Sequence, residues 1–70
     1  MIKEGSKVSW PWSKGKAQGK VIKTYAKEVT KTIDGSEITR KGAHGNKAIY
    51  IKQEDGSKVL KLESEVSNSD

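Results

Sequence analysis

Apolar and polar positions alternate along most of the chain, with the two-residue period of a β-strand and almost no helical spacing. Lys7-Val8-Ser9-Trp10 opens the pattern, and Pro11 then removes a backbone donor and closes the segment. Ser13 to Gly19 is rich in Gly, Lys and Ser and reads as an exposed loop. From Gly19-Lys20-Val21-Ile22 to Ile33 runs a long segment of Val, Ile, Thr and Tyr, the residue types that suit a pleated, half-buried surface. The pattern predicts five strands, at about 6–11, 18–33, 36–42, 47–53 and 57–61. The second is long enough to bend, so a bulge would break its alternation and leave the face taken by Tyr25 open.

Two turns fix the pairing. Asp34-Gly35 separates Thr32-Ile33 from Glu37-Ile38, and Asp55-Gly56 separates Ile49-Tyr50-Ile51 from Val59-Leu60. Asp-Gly suits a type I′ turn, whose two central residues need positive φ, so each predicts an antiparallel hairpin. Gly42 to Asn46 reads as a further loop, and Leu62 to Val66 as one short helical turn. Five short strands joined by tight turns predict a small closed or nearly closed barrel, which removes the long edges of an open sheet. Val8, Trp10, Val21, Ile38, Ile49, Ile51 and Leu60 are the expected core, with Tyr50 pointing away from it. Residues 1–66 form this single domain, and 67–70, lacking an apolar anchor, are expected to be a disordered tail.

At 70 residues the chain buries only about 60% of the surface its unfolded form exposes. It has no cysteine to staple that small core, so packing and hydrogen bonding must hold it. The absence of cysteine suits a reducing compartment, and Met1 to Gly5 lack the apolar run of a signal peptide. No stretch approaches the roughly 18 apolar residues of a membrane span. The expectation is a cytoplasmic, monomeric protein.

Charge changes the picture more. Residues 1–53 carry 12 basic and 4 acidic side chains, whereas residues 54–70 carry 2 basic and 5 acidic ones. The basic excess lies in the first three-quarters of the chain and favours a polyanion. Of the 14 basic residues only Arg40 is arginine. Lysine is a hydrated point charge without the bidentate fork that reads guanine, so nucleic-acid binding here would act through the phosphate backbone and weaken with salt. Lysines on exposed strands also block edge-to-edge aggregation, which explains part of the excess without a ligand.

Catalytic equipment is sparse. One histidine and no cysteine exclude Cys–His chemistry and multi-histidine zinc sites. Asp34 and Asp55 are accounted for by their turns, and His44 sits in a glycine-rich loop. Gly42-Ala43-His44-Gly45 matches the GxxG backbone clamp, but that motif needs helices where this chain has strands. No enzyme activity, cofactor or metal is expected.

Gly5-Ser6-Lys7-Val8-Ser9-Trp10, then Trp12 and Gly19-Lys20-Val21, resembles the opening of the hypervirulence-associated protein Tudor domain family. Ile38-Thr39-Arg40-Lys41-Gly42 resembles its central strand. Asn46 to Ile51, Gln53 to Gly56, Val59-Leu60-Lys61 and Ser64-Glu65-Val66 are similar to its closing hairpin. The resemblance spans residues 5–66 and implies an SH3-like, five-stranded barrel of the Tudor type, without enzymatic activity or cofactor. The chain departs from the family at Lys47, where Pro is common, and at Ile49, where Tyr is common.

Trp10, Trp12, Tyr25 and Tyr50 are the rings available for a cation-binding cage or for stacking bases. Alternation pairs Trp10 with Val8 in the core. Trp12, beyond Pro11, belongs either to the rim or to a cap on the core. The expected ligand surface is Trp12 with Lys14, Lys16 and Lys20, extended by Arg40 and Lys41 if the strands meet, and by Tyr50. The first expectation is a module that binds nucleic acid or another polyanion weakly. The alternative is a protein- or peptide-binding adaptor anchored on the rim aromatics. A third is self-assembly through an exposed strand edge.

Overall fold

The computed structural model describes residues 2–69. The described residues are all-β and antiparallel, with seven strands: β1 Lys7–Trp12, β2 Gly15–Tyr25, β3 Glu28–Ile33, β4 Ser36–Lys41, β5 Ala48–Gln53, β6 Lys58–Leu62 and β7 Ser67–Asn68. A single 3-10 turn, Glu63–Glu65, falls inside the segment where a helical turn is expected. Five strands form one sheet in the order β6-β5-β2-β1-β7, and β3 and β4 form a separate two-stranded sheet.

This architecture corrects the closed or nearly closed five-stranded barrel: among the described residues there are seven strands and no closed barrel. The ladder ends at β6 on one side and β7 on the other, and the β3–β4 hairpin packs near β6 without joining it. The segment expected as one strand over 18–33 is two, divided after Tyr25, because the chain leaves the main sheet there to build the hairpin. The same segment carries a bulge. β2 pairs with β5 through Val21↔Ile51 and resumes at Lys23↔Tyr50, so Ile22 is the extra residue.

Two further expectations fail in the same way, by cross-strand pairing overriding local composition. Ser13 to Gly19 is not an open loop: Ser13 and Lys14 make a two-residue turn, and β2 starts at Gly15 opposite Trp12. Ser13 has φ 52°, the only positive central φ of that turn, as in type II′. Nor do Ser67 and Asn68 fray. They pair with Ser9 and Val8, and the Ser69 N–H donates to the Lys7 carbonyl at 2.9 Å. Asp70 lies outside the described residues.

Both Asp-Gly hairpins form, with different turns. Asp34 (φ 51°) and Gly35 (φ 78°) both take positive φ, the type I′ pattern. At the second, only Gly56 does (φ 92°). The Gly56 N–H donates to the Gln53 carbonyl at 3.0 Å and the Gln53 N–H to that of Ser57 at 2.7 Å. This is a three-residue loop closed by a glycine bulge.

One face of the main sheet carries the core. Val8, Trp10, Val21, Ile49 and Ile51 pack together, and Ile2, Ala17, Val59 and Val66 lie against them. Fully burying an Ile or Val side chain stabilises by about 1.5–3 kcal/mol, so these few residues dominate the fold. Ala48 and Leu60 are also buried, but alternation and the pairings Ala48↔Leu62 and Tyr50↔Leu60 set them on the opposite face. The β3–β4 hairpin adjoins that face. Ile38 belongs to this hairpin and is therefore only half-buried, a correction to the expected core.

Candidate functional site

The second face of the main sheet divides into two parts. At one end, Lys31 of β3 reaches over two rings. Its Nζ lies 5.1 Å from the centroid of Tyr25 and 5.1 Å from that of Tyr50, and Lys23 Nζ lies 5.7 Å from Tyr25. The Lys31 ammonium is held above the ordinary lysine value, chiefly by hydrogen bonding with Tyr25 and then, against desolvation, by the charges of Tyr25 and Tyr50. Both rings are half-buried. The two-ring cation site is thus occupied by the chain's own lysine.

Behind the hairpin, the 3-10 turn ties the elements together. Glu65 Oε1 accepts from the Leu62 N–H at 2.9 Å and from Arg40 Nε at 3.2 Å. Glu63 Oε1 accepts from the Lys47 N–H at 2.7 Å, and Asn46 Oδ1 accepts from the Ser64 N–H at 2.9 Å. Gly42 threads between these strands, where a Cβ would collide with the backbone of Tyr25, Lys27 and Ala48.

The other end is basic. β1 pairs Lys7 with Lys20, β2 pairs Lys20 with Lys52, and β5 pairs Lys52 with Lys58. Four lysines on four adjacent strands therefore stand in one row across the sheet. Neighbouring strands lie about 4.7–4.9 Å apart, so the row spans about 14 Å. All four side chains are exposed. The register adds Lys16, opposite Pro11, and Lys23, opposite Tyr50, to the same face. Like charges directly opposite one another destabilise a sheet.

A groove of about 490 Å³ runs beside three of the four, lined by Lys7, Lys20 and Lys52 with Gln18, Ile22 and Glu54 among its walls. The bulge turns Ile22 outward, leaving it 41% exposed beside the lysines. Glu54 is the one acidic residue among those lining the groove.

The residues expected from sequence fall in different places. Lys20 stands inside the row and Lys16 near it, on the same face. Lys14 is in the tight turn at the end of the β1–β2 hairpin. Trp12 is 68% exposed at that tip, but it alternates with Pro11 and so shares its face with Val8 and Trp10, opposite the lysines. Arg40 is engaged by Glu65, and its Nη1 donates to the Thr39 carbonyl at 3.0 Å. Lys41 ends β4 opposite Glu28, in the separate hairpin. Tyr50 is held by Lys31. The structure does not bring Arg40 and Lys41 together with Trp12.

Lys7, Lys52, Lys58, Lys23 and Ile22 escape a reading by local clusters. Lys52 and Lys58 are, however, equidistant from Asp55, and Lys7 and Lys20 are equidistant from the Ser13–Lys14 turn. Turn positions were the signal that would have found the row.

Among the described residues, no group of three His, Asp or Glu comes together to hold a metal ion, and no helix is long and apolar enough to cross a membrane. The described residues form a small antiparallel fold with a basic outer face. The chain matches the Tudor domain of hypervirulence associated proteins over residues 5–66 and belongs to that family. No curated protein and no solved structure matches it.

Proposed function

We propose that this Tudor-family module binds a nucleic acid through its phosphate backbone, without catalysis, on the lysine face of the main sheet. The observation that carries the reading is the in-register row Lys7–Lys20–Lys52–Lys58. An anion laid along it relieves the mutual repulsion of the lysines and gains charge-assisted hydrogen bonds from each. The basic balance of residues 1–53 adds long-range attraction. Binding is weak, because each contact is a lysine on an exposed strand and releases a condensed counterion more than it builds a fitted pocket.

A labelled oligonucleotide titrated at 50 and 200 mM salt tests this. Four phosphate contacts give a slope of about −3.6 in log K against log salt, and so about a 150-fold loss between those concentrations. No binding at the lower concentration overturns the proposal.

A second reading is supported by Trp12, a large apolar side chain exposed at a hairpin tip on the other face. A protein or peptide anchored there would be lost on Trp12→Ala and would be indifferent to Lys20→Glu.

A further inference from the structure

We infer that the lysine face is built for double-stranded rather than single-stranded nucleic acid. This inference rests on the reading above and narrows it.

Modules that hold single strands combine a basic track with exposed rings on which successive bases stack, each worth about 1–3 kcal/mol. The lysine face has no such ring among its described residues. Tyr25 and Tyr50 are the aromatics on its side of the sheet, and both are half-buried with Lys31 Nζ 5.1 Å from each centroid. Trp10 is buried, and the register turns Trp12 to the opposite face. The apolar residue that does stand in the row's groove is Ile22, which has no π-face to offer a base. A flexible strand laid here would be ordered at an entropic cost with no stacking in return.

A duplex needs no stacking from the protein. It presents ordered phosphates, one charge per about 1.7 Å of axis, and releases more counterion per contact than a single strand does, about 0.9 against 0.7. The row's length suits it as well. Its roughly 14 Å span matches about four successive phosphates of one strand, at about 3.4 Å of axis each. Lys7, Lys20, Lys52 and Lys58 can then each meet a phosphate of that strand. Base reading has no arginine to perform it: Arg40 is the chain's one arginine and its guanidinium is held by Glu65. Recognition is of shape and charge, independent of sequence.

The test uses the full chain, a short DNA duplex of mixed sequence and each of its separated strands, followed by fluorescence anisotropy at about 50 mM salt. The duplex is expected to bind about tenfold or more tightly than either strand, and a duplex of scrambled sequence equally well. Lys20→Glu with Lys52→Glu is expected to weaken duplex binding by about 100-fold or more, and Trp12→Ala by less than about twofold. Because both lysines are exposed, Trp10 fluorescence should confirm an intact core in the double variant; Lys20→Gln with Lys52→Gln serves as the milder form. Strands that bind as tightly as the duplex overturn this inference and leave nucleic-acid binding standing. Failure of both duplex and strands to bind overturns both. A Trp12→Ala variant that loses strand binding preferentially would likewise place the site at the hairpin tip and overturn the inference.

Discussion

Lys20 and Lys52 face each other directly across the centre of the main sheet, flanked in the same row by Lys7 and Lys58. Cross-strand like charges cost stability, and opposite charges contribute about 0.2–1 kcal/mol per pair. Lys52→Glu therefore converts two repulsive contacts, with Lys20 and Lys58, into attractive ones. It should stabilise the fold by roughly 0.5–1.5 kcal/mol at low salt, and the gain should shrink as salt screens it. The same variant should bind polyanions worse. Urea melts at two salt concentrations, run beside a binding titration, check both halves. A substitution that raises stability while lowering binding marks a row kept for its ligand.

Glu65 is expected to matter more than the ion pair it makes. Its link to Arg40 is about one-third exposed on both sides (34% and 37%), so that pair contributes about 0–1 kcal/mol. The same Oε1 also accepts from the Leu62 N–H, and losing that acceptor costs about 1–2 kcal/mol, as losing a helix cap does. Glu65→Ala should lower stability by more than Arg40→Ala does, and Glu65→Gln should recover most of the difference. Chemical denaturation of the three variants separates the contributions.

Gly42→Ala should be among the costliest small substitutions in the chain. The added methyl meets three backbone atoms, of Tyr25, Lys27 and Ala48, rather than a side chain that can swing away. Overpacking of this kind costs about 1–3 kcal/mol. A comparable change at Gly15, where a Cβ meets open space, should cost far less. Thermal melts of the two variants make the comparison.

Two groups give the pH dependence its ends. Hydrogen bonds from the Ser57 backbone and side chain lower the Asp55 carboxyl below 3.8, the Ser57 N–H donating at 2.9 Å. Its contribution is present above the ordinary aspartate range and is lost as pH falls through the lowered folded value. Lys31 is raised above 10.5. Its contribution is complete below that value and is lost as pH rises through the raised folded value. Stability should thus be insensitive to these two groups across neutral pH. Asp55→Asn should remove part of the acid-side slope in a series of urea melts, and Lys31→Met part of the alkaline one.

Much of this fold is legible in the sequence because its signals are local. The two Asp-Gly turns place their hairpins, and strict alternation separates Ile49 and Ile51, which are buried, from Tyr50 between them. What is hidden depends on partners distant in the chain. Gly15 to Gly19 looks like a loop by composition and becomes strand because β1 pairs with it throughout, with β5 joining at Gly19. The barrel stays open because the chain turns out of the sheet after Tyr25, where no Pro or Gly marks the break. The candidate site was half visible. Lys16 and Lys20 stand out as part of a basic cluster, but Lys52 and Lys58 flank the acidic pair Glu54 and Asp55 at the tip of their hairpin. Their alignment with Lys20 is a property of register. Trp12 is the nearest ring to those lysines in sequence, yet alternation sends it to the other face.

The most direct measurement is the salt dependence of nucleic-acid binding in the wild type and in Lys20→Gln with Lys52→Gln. Each phosphate contact contributes about 0.9 to the slope of log K against log salt. Removing the two central lysines of the row should flatten that slope by about 1.8 and weaken binding to match. A slope and an affinity unchanged by the double substitution would contradict the assignment of the lysine row as the binding face.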